Sequence, residues 1–420
     1  MLSSPEERRR LRQQKAEERA QKQKKSLRLR IIVAAVVLLG CGVLIFSLSK
    51  KSPKEDVTEP SQHTEQTQET TQKTENPATT TIHYAAVGDL NINELTVAAG
   101  GTGYDYTNAF MDVAHLLADA DIASVNFEGN LVGEPYGSSF SAPQTMMVAL
   151  QKAGVDLVQM ANSYSINRGL SGLVSSIDAV RSTGMEPLGV YATNAAFQQS
   201  KGYTIRTVQG IKIAFVAFTK GMDGMALPAG NENCVNVLYS DYDSVYQNVD
   251  TEKITSILAS VAKEKPDVTV ALLHWGSEFN NTISSSQEKI VDLMQANGVD
   301  AIIGTHSHYV QKMTFDEENG QFVAYSLGDF FSDAQRSGTE YSVALDLEIT
   351  KDNKTGKTKI TGYSVTPIFT VSEAEKPLRV VRIAPAMEAY ENGYLHKVSQ
   401  ETYEKMEYAL QRIEARIKGE

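Results

Sequence analysis

Carboxylate, amide and imidazole side chains follow five apolar runs of the sequence that are typical of buried strands. Open α/β sheets place their sites at the carboxyl ends of strands, so we expect these side chains to meet in one pocket. The five motifs are Gly88-Asp89, Asn126-Phe127-Glu128-Gly129, Ala161-Asn162-Ser163-Tyr164, His274-Trp275-Gly276-Ser277-Glu278 and Gly304-Thr305-His306-Ser307-His308.

Carboxylate oxygens and imidazole nitrogens together suit a divalent transition metal such as zinc, manganese or iron. Such an ion would polarise a phosphoryl or carbonyl oxygen or activate water. Three of the seven histidines, His274, His306 and His308, lie in the motifs. The composition of the motifs therefore predicts a divalent metal site.

Each motif also has an ordinary structural interpretation. Gly-Asp after a strand is common as a turn or a helix cap, and a His-Trp-Gly segment can be core packing around a hydrogen-bonded imidazole. The His306-Ser307-His308 segment is more specific, because alternate side chains of an extended segment point to the same side. The conjunction of all five motifs favours a site.

The elements that would position the motifs alternate between apolar runs and amphipathic segments, which is typical of βαβ units. Later segments indicate antiparallel strands with a turn at Lys351 to Gly356, so we expect a mixed α/β architecture of packed sheets with helices outside. Predicted strands are Ile82 to Val87, Ile122 to Val125, Asp156 to Met160, Ile205 to Val208, Lys212 to Ala217, Val268 to Leu273, Ala301 to Ile303, Phe322 to Ser326, Tyr341 to Ile349 and Lys359 to Pro367. Predicted helices are Thr107 to Ala118, Gln144 to Ala153, Gly172 to Ser182, Thr251 to Lys263, Gln287 to Asn297 and Gln400 to Lys418.

The first eighty residues differ in composition from the rest of the 420-residue chain. Residues 1–30 form a basic tail and residues 31–48 an uncharged apolar run, which is about long enough to cross a bilayer core of roughly 30 Å. Residues 49–80 are rich in Ser, Thr, Gln and Glu and predict a disordered spacer. The basic flank predicts a cytoplasmic N-terminus and an extracytoplasmic main domain.

Two alternatives compete with an uncleaved membrane anchor at residues 31–48. A cleaved signal peptide would have a shorter apolar region and a small-residue exit. A lipoprotein signal would use Cys41, although the apolar run continues past that residue. Only Cys41 and Cys234 are present, so the outer domain has one thiol and no intrachain disulfide.

The charge distribution argues against nucleic acid as a partner. The net charge is -11, and residues 1–30 contribute +7, which leaves -18 on the remainder. A nucleic-acid-binding domain would carry its basic residues on the folded part.

The motifs, in this order, resemble those of the CapA family, also called the poly-γ-glutamate capsule synthesis domain. The resemblance covers about Ile82 to Thr370 and includes two further segments, Ser165-Ile166-Asn167-Arg168-Gly169 and Tyr325-Ser326-Leu327-Gly328-Asp329-Phe330. It implies a calcineurin-type metallophosphatase fold, a four-layer sandwich of two packed mixed sheets flanked by helices, over residues 81–370. Residues 371–420 would be a C-terminal extension with a helix.

The resemblance also implies roles for individual residues. Tyr164 and His274 stand where catalytic residues are expected. The implied metal ligands are Asp89, Glu128, Asn162, His274, His306 and His308.

The third motif departs from the family pattern. Ser163 stands where typical members have Asn, Tyr164 where they have His, and Asn167 where they have Asp. A tyrosine, with a reference pKa near 10, is a poor acid-base group at neutral pH. Asn162 would then substitute as a polar ligand.

Two functions follow from these observations as expectations. The first is a metal-dependent hydrolase or transferase acting on a cell-envelope polymer such as poly-γ-glutamate, working beside the membrane and membrane synthase subunits. The second is a non-catalytic protein that binds, exports or anchors the polymer with a degenerate site. An acidic outer domain would need a local basic pocket or a bridging cation to hold an anionic polymer.

Overall fold

The computed structural model describes residues 78–334 and 336–420. The predicted basic tail, the predicted membrane helix at 31–48 and most of the predicted spacer at 49–80 lie outside these residues. The first strand begins at Thr79, so the last two residues assigned to the spacer belong to the sheet instead. Among the described helices, none is both long enough and apolar enough to cross a membrane.

The described residues form two sheets. The strands are β1 (Thr79–Asn91), β2 (Ile122–Glu128), β3 (Leu157–Gln159), β4 (Glu186–Leu188), β5 (Thr204–Val208), β6 (Ile211–Thr219), β7 (Val268–His274), β8 (Ala301–Thr305), β9 (Met313–Asp316), β10 (Gln321–Ala324), β11 (Asp329–Phe331), β12 (Tyr341–Asp352), β13 (Thr358–Val371) and β14 (Arg379–Arg382).

Helices lie between the strands and at the C-terminus. They are α1 (Glu94–Ala98), α2 (Thr107–Phe110), α3 (Ala114–Ala118), α4 (Gln144–Lys152), α5 (Gly169–Ser182), α6 (Asn194–Ser200), α7 (Thr251–Lys263), α8 (Ser285–Ala296), α9 (Ile383–Glu391) and α10 (Gln400–Lys418), with a 3₁₀ turn at Gly101–Gly103.

The larger sheet has the strand order β14-β13-β12-β1-β2-β3-β4, and β11 also pairs with β1. Strands β1 to β4 are parallel, while β12, β13 and β14 join by antiparallel pairing. The parallel pairing of β11 with β1 sets Asp329 beside Asp89. The sheet is therefore mixed, as predicted.

The smaller sheet has the order β5-β6-β7-β8-β10-β9. Its central strands β6, β7, β8 and β10 are parallel, and β5 and β9 pair antiparallel at the two edges. Every residue of β7 is buried, which explains its continuous apolar sequence rather than an alternating one.

Three apolar clusters stack across the fold. One lies between the sheets and joins Tyr84 of β1 to Phe215 of β6, whose rings meet edge to face at 5.4 Å. The second packs α2 to α5 on the larger sheet, and the third packs α7 and α8 on the smaller one. In α7 the buried residues Ile254, Ile257, Leu258 and Val261 follow helical spacing. The described residues therefore form four layers: helices, the larger sheet, the smaller sheet and helices.

Residues beyond 370 take part in the same fold. Strand β14 extends the larger sheet, and α10 buries Met406, Ala409 and Ile413 in the cluster between the sheets. The C-terminal helix that the sequence predicts at Gln400 to Lys418 has those bounds.

Two predicted elements differ from the structure in more than the position of their ends. The helix predicted at Thr107 to Ala118 is interrupted at residues 111–113, where the Asp112 carbonyl accepts a hydrogen bond from Arg382 Nε at 3.2 Å. The strand predicted at Phe322 to Ser326 ends at Ala324 and belongs to a different sheet from β12 and β13. It pairs antiparallel with β9, as predicted for this part of the chain, and also parallel with β8.

Candidate metal centre

Ionisable side chains from both sheets converge at the carboxyl ends of their strands. Asp89 lies near the end of β1 and Glu128 ends β2, while His274 ends β7. His306 and His308 follow β8 directly. All five are buried, with exposed fractions of 8 % or less.

One group of possible metal ligands consists of Asp89, Glu128 and His274, with ligand atoms that all lie within 4.8 Å of one another. His274 Nδ1 is 3.3 Å from Glu128 Oε1. Asn126 lies between them and donates from Nδ2 to Asp89 Oδ1 at 2.7 Å and to Glu128 Oε1 at 3.0 Å. This amide holds the two carboxylates in place.

A second group shares Asp89 and adds His308 and Asp329, again within 4.8 Å. His308 Nδ1 is 2.8 Å from Asp329 Oδ1 and 3.7 Å from Asp89 Oδ2. Because Asp89 belongs to both groups, the two candidate metal positions adjoin one another.

His306 sits between the two groups. Its ring centroid is 4.3 Å from that of His274 and 6.3 Å from that of His308. Its backbone N–H donates to Asp89 Oδ2 at 3.0 Å, but its side-chain Nε2 is buried and has no hydrogen-bond partner among the described residues. Buried polar atoms are nearly always paired, so an orphaned imidazole nitrogen next to the His274 ring fits a metal ligand. Neither of the two groups above contains His306 itself.

The backbone that carries the two histidines is held in an uncommon conformation. His306 has φ 87° and His308 has φ 61°, both in the left-handed region that non-glycine residues rarely adopt. Such strain concentrates at functional sites, where the surrounding structure fixes it. Here the bonds to Asp89 and Asp329 do so.

Burial of carboxylates and imidazoles in one place determines the electrostatics of the site. Burial, with the neighbouring carboxylates, raises the pKa of Asp89 to about 6 and the pKa of Glu128 well above its usual range. Burial lowers the pKa of His274 and of His306 well below 6.5, so both rings are neutral, the form that binds metals. A bound cation would relieve the repulsion among these carboxylates.

His308 behaves differently from the other two histidines. Burial alone would lower its pKa, but the charges of Asp329, Glu128 and Asp89 outweigh that effect and hold the pKa well above its ordinary value. Without a metal, this imidazolium compensates the carboxylates around it.

Residues of the third predicted motif contact Asn126 and His274 of the site. Asn162 donates from Nδ2 to Asn126 Oδ1 at 3.1 Å and to the Phe127 carbonyl at 2.7 Å, and its Oδ1 accepts from Tyr164 N at 3.0 Å. Its polar atoms thus all bond to protein. Ser163 Oγ lies 3.3 Å from His274 Nε2.

Tyr164 lines a cavity of about 160 Å³ that opens beside His308, Asp329 and Glu278. Its ring packs against Phe140 at 4.9 Å. Burial, reinforced by nearby carboxylates, raises the pKa of its phenol above the ordinary value. The hydroxyl therefore keeps its proton at neutral pH.

Trp275 contributes shape rather than chemistry. Its Nε1 donates to the Tyr325 carbonyl at 2.9 Å, and its ring stacks on Tyr325 at 5.7 Å. A Cβ at Gly304 would lie 2.4 Å from Trp275 Nε1 and 2.0 Å from Tyr325 O. A side chain at residue 304 would therefore clash with Trp275 and Tyr325, and only glycine fits there.

The site also contains residues that the sequence prediction of ligands omitted. Asn126 and Asp329 both lie in quoted motifs, but nothing in the sequence indicates that β11 pairs with β1. Lys220 follows β6 and donates from Nζ to the Gly276 carbonyl at 3.0 Å. Its position directly after an apolar strand was the signal that could have identified it.

The comparisons with known proteins agree with the predicted family resemblance. The model of the family "Bacterial capsule synthesis protein PGA_cap" matches residues 81–334. The chain is 26% identical over 261 residues to the capsule biosynthesis protein CapA of Bacillus anthracis, covering 60% of each chain. It is 25% identical over 237 residues to the PGA biosynthesis protein CapA of Bacillus subtilis, covering 56% of this chain and 58% of the relative. The chain thus matches about 60% of the length of these relatives.

Solved structures with a similar arrangement include the calcineurin-like phosphoesterase YfkN from Bacillus subtilis. It has a TM-score of 0.44 and 16% identity, covering 80% of this chain and 97% of that chain. A second is a 5'-nucleotidase described as putative, from Staphylococcus aureus, with a TM-score of 0.44 and 10% identity, covering 79% of this chain and 58% of that chain. With more than half of its residues matched by the family model, the chain belongs to the bacterial capsule synthesis protein PGA_cap family.

Proposed function

We propose that this chain is a membrane-anchored, extracytoplasmic protein of capsule or poly-γ-glutamate biosynthesis, and that its site performs a metal-dependent hydrolysis or transfer on the polymer. Membership in the PGA_cap family supports the biosynthetic role. Curated relatives from two Bacillus species carry names from capsule and PGA biosynthesis. The anchor and the link to membrane synthase subunits rest on the sequence of residues 1–80.

The observation that carries the enzymatic proposal is the buried, unpartnered Nε2 of His306, whose ring lies 4.3 Å from that of His274. Asp89, Glu128 and His274 would hold one ion, and Asp89, His308 and Asp329 would hold another. The mixed oxygen and nitrogen donors suit zinc, manganese or iron. A divalent ion there would polarise a phosphoryl or carbonyl oxygen of the substrate.

The protein residues around the cavity would bind and orient the substrate. Tyr164 presents a protonated hydroxyl, which can donate a hydrogen bond but cannot accept a proton at neutral pH. Lys220 does not line this cavity, but its positive charge acts on His274 and His306 and adds to that of the His308 imidazolium. These two groups would stabilise negative charge on the substrate rather than move a proton.

A second candidate, a non-catalytic polymer-binding, export or anchoring protein, is favoured by one specific contact. Ser163 Oγ lies within hydrogen-bond distance of His274 Nε2, and Tyr164 replaces the imidazole of the family motif. In this alternative the site retains a metal as a bridge to carboxylates of the polymer without turnover.

Incubation of the detergent-purified full chain with poly-γ-glutamate and Mn²⁺ separates the two candidates. Polymer length is followed by size-exclusion chromatography. We expect shortening that Asp89→Asn abolishes. Asp346→Asn, which changes a half-buried carboxylate paired with His83 outside the site, should leave the shortening intact. Binding with no change of length in the wild-type protein would favour the non-catalytic candidate.

Replacement of Tyr164 by histidine tests the departure from the family motif directly. General acid-base catalysis typically contributes about 10²-fold or more to a rate. If Tyr164 limits turnover, Tyr164→His will raise the rate of polymer shortening at least about tenfold, with metal content unchanged. An unchanged or lower rate would show that the tyrosine is not the limiting group.

A further inference from the structure

A basic groove lies at the β14 edge of the larger sheet, in a chain whose net charge is negative. Arg379 and Arg382 of β14 line it, together with His396 and Lys397 of the segment before α10. Its volume is about 320 Å³. Asp112 is the one acidic residue among those that line it. We propose that this groove binds a carboxylate-bearing segment of the polymer, an inference that rests on the proposed function and assigns its polymer-docking site.

Asp112 bonds to both arginines, but its single charge offsets only one of them. Arg379 Nη1 is 3.1 Å from Asp112 Oδ2, and Arg382 Nε donates to the Asp112 carbonyl at 3.2 Å. A guanidinium has five N–H donors, so each arginine keeps most of its donors for a ligand. One carboxylate for two guanidinium groups leaves the groove with net positive charge.

The groove also has an apolar surface. Val381 and Pro385 line it, and so do Tyr394 and Leu395, whose exposed fractions are 59% and 91%. An exposed leucine next to an exposed tyrosine is unusual for a surface that touches only water. The groove is thus lined by both cationic and apolar side chains.

Poly-γ-glutamate presents the complementary chemistry. Each repeat unit carries one carboxylate and two methylene groups, so guanidinium groups can bind the carboxylates while the apolar wall contacts the methylenes. The metal centre is lined by Asp89, Glu128 and Asp329, so it would hold a polyanion only through a bound cation. The groove offers the polymer a direct attachment through basic side chains.

The groove and the metal centre are joined by continuous packing. Asp112 follows α2, whose Phe110 stacks on Phe330 at 5.6 Å and meets Phe331 edge to face at 5.2 Å. Phe330 directly follows Asp329 of the metal centre. A polymer bound in the groove is therefore held by the elements that adjoin the site.

The test measures binding of fluorescent poly-γ-glutamate to the full chain by anisotropy. The variant Arg382→Gln/Lys397→Gln leaves the Arg379–Asp112 ion pair in place. Its matched control is Arg181→Gln/Arg206→Gln, which removes two arginines that pair with Glu186 at the opposite edge of the same sheet. We expect the groove variant to bind about tenfold more weakly, with a shallower salt dependence, and the control to bind like wild type.

Three outcomes would overturn the proposal: equal binding by the groove variant, equal binding of inorganic polyphosphate to the wild-type groove, or a change of oligomeric state in place of a change of affinity. Thermal unfolding of each variant excludes misfolding as the cause. Metal content is measured on the same samples. Loss of polymer binding with metal retained supports the groove whether or not the polymer is shortened, so failure of the enzymatic proposal remains distinguishable.

Discussion

A glycine at residue 88 brings two backbone segments of the site close together. Gly88 precedes Asp89, and a Cβ at Gly88 would lie 1.8 Å from the carbonyl oxygen of Gly328. That close approach allows Asp89 N to donate to Gly328 O at 3.0 Å, which holds β1 against the segment that carries Asp329. Glycine at residue 88 therefore positions two ligands together.

Substitution Gly88→Ala will destabilise the fold and weaken the metal centre together. Forcing a methyl group against backbone costs about 3 kcal/mol in a packed interior. Urea unfolding measures the loss, and the matched control is Gly103→Ala, where a Cβ meets nothing within 4 Å. Equal stability of the two variants would contradict the close packing of β1 on residue 328.

The residue types of the metal centre were predictable from the sequence, but their bonding was not. Asp89, Glu128, His274, His306 and His308 converge because parallel strands end at one edge. Asn162 was predicted as a ligand from its motif. Its side-chain amide instead bonds to Asn126, Phe127 and Tyr164, and the local sequence does not reveal this orientation. Asp329 was omitted because its pairing with Asp89 joins residues 240 positions apart.

At the scale of elements, helix α10 shows how a charged amphipathic segment becomes part of the core. Ser399 caps its first turn, and its Oγ accepts from Thr402 N at 3.1 Å. Glu373, which precedes β14, accepts from Ser399 N and from Thr402 Oγ1 at 3.0 Å. This carboxylate joins the helix to the sheet.

The Glu373 carboxylate makes the docking of α10 dependent on pH. Burial alone would raise its pKa, but Lys376 and the bonds from Ser399 and Thr402 lower it to about 2. A depressed folded-state pKa adds stability above the unfolded value of about 4.5, which is lost as the pH falls towards 2. Glu373→Gln should therefore cost about 1–2 kcal/mol at pH 7, and the difference from wild type should shrink as the pH falls from 4.5 towards 2.

Denaturant unfolding at several pH values checks this prediction. Glu407→Gln, an exposed carboxylate on the same helix, is the control and should change little at any pH. A Glu373→Gln penalty that stays constant from pH 7 down to the lowest accessible pH would count against the capping role of the carboxylate.

Long periodic elements were predicted best, and elements that depend on tertiary contacts were not. Helix α7 and helix α10 have their predicted bounds because apolar periodicity and caps coincide there. At the break between α2 and α3, the Asp112 carbonyl bonds to Arg382, which is distant in sequence. The three-residue strand β11 is too short to carry a period.

At the scale of the whole molecule, the fold places one end of two sheets around a single acidic centre. The strand ends of β1 and β2 come from the larger sheet, and those of β7 and β8 come from the smaller one. The proposed anchor at residues 31–48 would hold this centre outside the cytoplasm, next to the membrane where an envelope polymer emerges.

Membrane attachment is tested on the full chain expressed in a bacterium. We expect it in the membrane pellet after a carbonate wash, with its main domain open to protease added to intact cells. Leu38→Asp/Leu39→Asp should abolish attachment, because a charged residue at the centre of a spanning helix costs about 3 kcal/mol. Cys41→Ser should leave it intact, and release of this variant would instead indicate a lipoprotein.

The most direct test of the account is the metal content of the purified full chain by elemental analysis. The variant His306→Ala/His308→Ala removes two proposed ligands, and His83→Ala/His396→Ala removes two histidines outside the metal centre. We predict near-stoichiometric zinc, manganese or iron in the wild-type protein and in the control variant, and its loss from the ligand variant. A folded wild-type protein that binds none of these metals, even after incubation with them, would contradict the metal centre.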